Sequence, residues 1–228
     1  MANDRTLGVL AGVSYLVTHV TSVGAVTLYG AMLTDDGWAG ASDGDARYLA
    51  GAMLDVVLAV AVVATAAFLW PLLRRRSAVG PVAYLALRVT EAATILAGAS
   101  AVVAGVALRG AGEAASAGAM VELYRAAFLV GPGLVVPFHT VVLAAVLWRH
   151  RLAPRWIPLL GFVGGPLVLV SNLTVLLGLQ EQVSALVMAA AVPVFAWEIS
   201  LAVWLITRGI GAGAATPRAA QATAYVSA

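Results

Sequence analysis

Apolar residues dominate six stretches of this chain, at about 7–33, 47–70, 81–108, 120–148, 157–179 and 185–207. Each approaches or exceeds the ~20 residues that carry a helix across a bilayer. None alternates with a period of two, which argues against barrel strands. The pattern predicts an all-α fold, a polytopic transmembrane helix bundle of six spans. The connections carry the polar residues. The stretch 34–46 is Gly-rich and acidic, with Asp35, Asp36, Asp43 and Asp45. Its spacing does not fit an EF-hand, so it reads as a solvated loop. The stretch 109–119 reads as a Gly/Ala/Ser loop, and 180–184 as a short turn. The first apolar run outlasts the roughly 7–15 residues of a cleavable leader. It is read as a retained span, although Ala39-Gly40-Ala41 resembles a cleavage site.

Within the spans, small and polar residues recur at helical spacing. Gly8 and Gly12 form a small-xxx-small pair that lets another helix approach. In the second span Gly51, Ala52, Asp55, Ala59 and Ala66 make a small-residue stripe holding one carboxylate. The third span has a polar-or-small face of Tyr84, Arg88, Glu91, Thr94, Gly98, Ala101 and Gly105. In the fourth span Arg125, Pro132, His139 and Val146 fall seven residues apart, close to two helical turns, and so share a stripe. Gly131-Pro132-Gly133 and Pro137 predict a kink or a local opening of that helix. The fifth span holds Asn172, and the sixth holds Glu198 between Trp197 and Ile199.

Composition agrees with the pattern. The 228 residues are 62% hydrophobic and 11% charged, with mean hydropathy +0.96. Soluble domains average roughly 45–50% and about 25%. The absence of cysteine excludes disulfides, thiolate chemistry and Cys-ligated metals. All 13 basic residues are arginine, which together with abundant Ala and Gly suggests a GC-rich bacterial genome. Nine of them lie in the segments 1–6, 71–80, 149–156 and 208–228, against Arg47 and Arg109 in the opposite connections. The positive-inside rule then places both termini in the cytoplasm, which six spans allow. The expectation is a multi-pass protein of the inner (plasma) membrane. Residues 1–210 form a single six-helix transmembrane domain, and 211–228 form a mobile cytoplasmic tail.

The candidate chemistry lies at mid-depth. Ionisable groups inside a membrane are costly and face partners in the bundle interior. Arg88 and Glu91, three residues apart, share a helix face. Counted from the basic end at ~1.5 Å per residue, Glu91, His139 and Glu198 reach similar depth, with Arg88 one turn below and Asp55 a little beyond. The predicted buried polar cluster is therefore Arg88, Glu91, Glu198, His139 and Asp55, with Arg88 as the shared cation. A second polar layer comprises His19, Asn172, Glu122 and Arg125, in which Glu122 partners Arg125. Such a cluster either holds the helices in register or forms a proton or small-solute site. A structural or assembly partner in the membrane is the alternative, and a membrane enzyme or cofactor binder a further one. No metal or cofactor is expected: HExxH, a Walker-type loop and a Gly-x-Ser-x-Gly elbow are all missing. No catalytic residue is assigned. The expected partners are the bilayer and its anionic headgroups rather than nucleic acid, with a homo-oligomer left open.

Several of these pieces occur together in one known family. They include Leu87-Arg88-Val89-Thr90-Glu91-Ala92, Ala127-Phe128-Leu129-Val130-Gly131-Pro132-Gly133, Leu152-Ala153-Pro154-Arg155-Trp156 and Ala196-Trp197-Glu198-Ile199-Ser200-Leu201. The chain resembles bacterial membrane proteins of domain of unknown function family 4386 over nearly all of residues 7–210. Asp55 stands where glutamate is expected, and His139 where histidine is not required. The resemblance implies a six-helix membrane protein and no activity.

Overall fold

The six apolar runs fold as six long helices in the computed structural model, which describes residues 3–34, 38 and 44–210. Asp35, Asp36 and Asp43 of the acidic stretch, and the segment from 211 onwards, lie outside the described residues. Helix α1 (Asp4–Tyr29) ends at Gly30, whose φ of 35° suits glycine, and the short α2 (Ala31–Thr34) follows. Helix α3 is Asp45–Leu73 and α4 is Val79–Gly110. The fourth span comprises α5 (Ala114–Phe128), a π-helical segment (Leu129–Val135) and α6 (Val136–His150). Helices α7 (Trp156–Leu176) and α8 (Ala185–Thr207) follow. No strand is present among the described residues, and all six spans are long and apolar enough to cross a membrane.

The stretch 109–119 is not the loop its composition suggests. Helix α4 runs to Gly110 and α5 starts at Ala114. Alanine is the strongest helix former, and it carries both helices into the connection.

Each span packs on its neighbours in sequence, and α1 also packs on α8, so the spans close into a ring. The closing seam is where Gly8 and Gly12 lie. A Cβ on Gly12 would come within 2.7 Å of both the Ala202 carbonyl oxygen and Ile206 Cγ1, so only glycine allows this approach. At the same end the Arg5 guanidinium donates to the carbonyls of Leu205, Ile206 and Thr207. These last-turn carbonyls lack helical partners, and a cation there also complements the helix dipole.

The two ends of the ring are filled differently. At the basic end one core draws on all six spans, with Tyr15, Leu69, Tyr84, Leu147, Ile157 and Trp197 among its buried members. At the other end the core comes from α1–α5 and includes Tyr29, Trp38, Tyr48, Val102 and Tyr124, with nothing from α7 or α8. Arg109 anchors this second core. It pairs with Asp45 and lies over the rings of Trp38 and Tyr48, at 4.8 Å and 5.3 Å from their centroids. Helix α8 buries no residue before Val194, so its first half leaves the ring open on one side.

Gly12→Leu should destabilise the bundle by about 1–3 kcal/mol, the usual cost of overpacking. Gly8→Ala, where a Cβ meets the Leu205 carbonyl at 3.6 Å and Gly209 Cα at 3.8 Å, both ordinary contacts, should unfold like the wild type. Thermal unfolding followed by circular dichroism in detergent measures both.

Candidate functional site

Tyr84, Arg88 and Glu91 follow one another up the inner face of α4, and all three are buried. Arg88 is 2% exposed and its donors are directed. Nε donates to the Tyr84 hydroxyl (3.1 Å), one terminal nitrogen to Glu91 Oε2 (2.9 Å) and the other to Glu198 Oε1 of α8 (3.3 Å). Hydrogen bonds to charged groups contribute roughly 1.5–3 kcal/mol each, set against an insertion cost of about 2.5–3.5 kcal/mol for a central arginine. Tyr15 of α1 adds a ring face 5.2 Å from the guanidinium carbon, and its hydroxyl shares a hydrogen bond with that of Tyr84. Thr65 of α3 reaches the same Tyr84 oxygen at 3.4 Å.

Two histidines flank the carboxylates. His139, in the first turn of α6, brings Nε2 to 3.0 Å from Glu91 Oε2. His19 of α1 brings Nε2 to 3.6 Å from Glu198 Oε2. Both contacts are at ion-pair distance, yet neither Nε2 has an aligned hydrogen bond among the described residues. The order across the bundle is His19, Glu198, Arg88, Glu91, His139. The His19–Glu198 end is the more open: their side chains are 10% and 14% exposed, against 2% and 6% for His139 and Glu91. The Phe195 ring lies edge-on to the His19 ring, with centroids 4.1 Å apart.

The predicted site residues separate into four places. Arg88, Glu91, Glu198 and His139 come together, and His19 joins them instead of forming a second layer. Asp55 does not join. It is fully buried, but its Oδ2 accepts from the Tyr29 hydroxyl (2.6 Å), and its Oδ1 has no hydrogen-bond partner among the described residues. The reason is depth. Thr65, which meets Tyr84, is ten residues further along α3, some ~15 Å at helical rise. Glu122 and Arg125 pair at 2.6 Å near the opposite end, 66% and 30% exposed, with Arg125 also donating to the Leu33 carbonyl. Asn172 bonds the Val168 carbonyl of its own helix.

The π-helical segment explains why the seven-residue stripe of the fourth span breaks up. The Val136 N–H bonds the Gly131 carbonyl five residues back. One wide turn takes residues before it out of register with those after it. Arg125 therefore points away from the bundle centre, whereas His139 points into it. The same segment lies directly on α4. Thr94 Oγ1 bonds the Glu91 carbonyl at 2.7 Å, and a Cβ on Gly131 would overlap that hydroxyl.

Sequence reasoning missed Tyr15 and Tyr29. Tyr15 stands four residues before His19, and Tyr84 four before Arg88, so each shares its neighbour's face. A tyrosine hydroxyl inside a membrane span needs a partner, and that signal was legible.

A six-helix bundle with a buried arginine shared by two carboxylates is a polytopic α-helical membrane protein with an ionic centre. The chain belongs to the domain of unknown function family DUF4386, whose model matches residues 10–209. Searches of curated proteins and of solved structures give no match.

Arg88→Ala should cost about 3–5 kcal/mol, because it leaves buried carboxylates without their cation. Glu198→Gln should cost less, since Glu91 still pairs with Arg88. The order of the thermal midpoints of purified wild type, Glu198→Gln and Arg88→Ala in detergent checks this.

Proposed function

We propose that the protein exchanges a proton at its ionic centre, as a small membrane carrier or channel for protons or a small polar solute. The observation that carries this reading is the state of His19. Its Nδ1 sits 2.8 Å from the Tyr15 carbonyl, and a carbonyl only accepts, so Nδ1 holds a hydrogen. In the neutral ring, Nε2 then turns a lone pair toward Glu198 Oε2. One proton between the two atoms converts that contact into a charge-assisted hydrogen bond. The charge count supports the same conclusion. With both histidines neutral, Arg88, Glu91 and Glu198 sum to one negative charge, which a single proton cancels. This proton belongs at the more accessible end of the cluster, where exchange is easiest.

The competing reading is structural. Arg88 bonds groups on α4 and α8, while His19 and His139 draw in α1 and α6, so the cluster also holds four spans in register. Proton flux separates the two. Vesicles carrying the wild type and an internal pH dye should acidify faster than empty vesicles under an imposed gradient. Glu198→Gln and His19→Gln should lower that rate by about tenfold or more, as loss of a positioned proton acceptor does. Asp55→Asn should not. Equal rates in wild type, Glu198→Gln and empty vesicles would leave the structural reading standing.

The proposal includes a plasma-membrane location with both termini in the cytoplasm. The exposed arginines Arg74, Arg75, Arg76, Arg149, Arg151 and Arg155 would then meet anionic headgroups. The native chain has no cysteine, so single-cysteine labelling reads this directly. In intact cells an impermeant thiol reagent should label Glu113→Cys and leave Arg76→Cys unlabelled; the reverse pattern would invert the topology.

A further inference from the structure

Away from the ionic centre, a cleft of about 870 Å³ opens where the first half of α8 leaves the ring. Its volume lies within the roughly 300–1,000 Å³ of small-molecule sites. One wall is apolar and aromatic: Val26 of α1, with Tyr124 and Phe128 of α5, whose rings stack at 4.5 Å. The other is the connection between α7 and α8, with Gln180 and Glu181.

The polar groups along this cleft are unevenly committed. Arg125 is matched in charge by Glu122 and also bonds the Leu33 carbonyl. Glu181 has neither an ion pair nor a hydrogen bond among the described residues, although it lines the cleft. The Gln180 amide nitrogen donates to the Ser171 carbonyl, Ser171 Oγ and Thr174 Oγ1. Those bonds fix the amide orientation, so its oxygen stays an acceptor, and it is buried with no partner. Flipping the amide would lose the bond to the Ser171 carbonyl, which only accepts. Glu181 is therefore an uncommitted acceptor on this wall, and Glu122, Arg125 and Glu181 sum to one negative charge. Aromatic faces beside them also attract cations.

We propose that this cleft binds a protonated organic amine of drug-like size, its ammonium directed at Glu181 and its apolar body against Tyr124 and Phe128. An anion would find the one nearby arginine already paired and a net negative wall. A neutral apolar molecule would leave Glu181 unmatched. This assignment stands apart from the proton reading of the centre, and either can fail alone.

The test is equilibrium dialysis of the purified full chain in neutral detergent, with protein-free micelles as the blank. The probes are phenylbutylamine, phenylbutanol and phenylbutyrate, which share a body and differ in head group. The amine should bind saturably and more tightly than the alcohol, with the carboxylate weakest. Glu181→Gln, on an exposed residue, should weaken the amine by about tenfold, as loss of a charge-assisted contact does, and leave the alcohol unchanged. Phe128→Leu should weaken the amine and the alcohol together. Equal uptake of all three probes, or an amine affinity unmoved by Glu181→Gln, would overturn the proposal.

Discussion

Burying Arg88 constrains this bundle more than any other single requirement. A guanidinium keeps its charge under all ordinary conditions, so an apolar interior cannot neutralise it and must surround it with acceptors. One helix cannot do that alone. Glu91 shares the face of α4, but the second carboxylate comes from α8, the edge of the coordination from Tyr84, and the covering ring from α1. Meeting the needs of one side chain therefore brings groups from three helices to one point. His139 and Thr65 extend the same network to α6 and α3.

The ends of the ring differ because their packing differs. At the basic end, large apolar side chains from every span meet in one core, and Arg5 caps the last turn of α8. At the other end, α3, α4 and α5 crowd around Tyr29 and Tyr124 and leave α7 and α8 unengaged. The cleft is the direct result. Asp55 belongs to the crowded side, where Tyr29 supplies one hydrogen bond and no cation approaches among the described residues. The bundle thus holds one carboxylate pair built around a cation and one carboxylate held only by a phenol.

Much of this was legible along the chain. Apolar length alone marks the spans, and a three-residue step puts Arg88 and Glu91 on one face whatever surrounds them. Gly8 and Gly12 announced a close approach, although nothing in their spacing named α8 as the partner. What escaped depended on departures from ideal helix. The single π turn moved Arg125 off the stripe of His139, and the alanine-rich connection narrowed to a turn at 111–113 where a longer loop was expected. Depth counting also misplaced Asp55, which lies eighteen residues from the basic end of α3 at Leu73, against twelve for Glu91 from Val79. His19 was assigned a separate layer because its depth alone does not reveal that it faces Glu198.

The seam between the first helix and the last sets an order on biogenesis. Helices leave the insertion machinery in chain order, yet Gly12 and Arg88 both need α8, which emerges after the other five spans described. Until then a five-span intermediate holds an arginine with only one of its two carboxylates and a glycine groove facing lipid. Such a species is what membrane quality control is suited to detect. A chain truncated before Glu198 would stay in that condition, so α8 acts as the lock on the bundle.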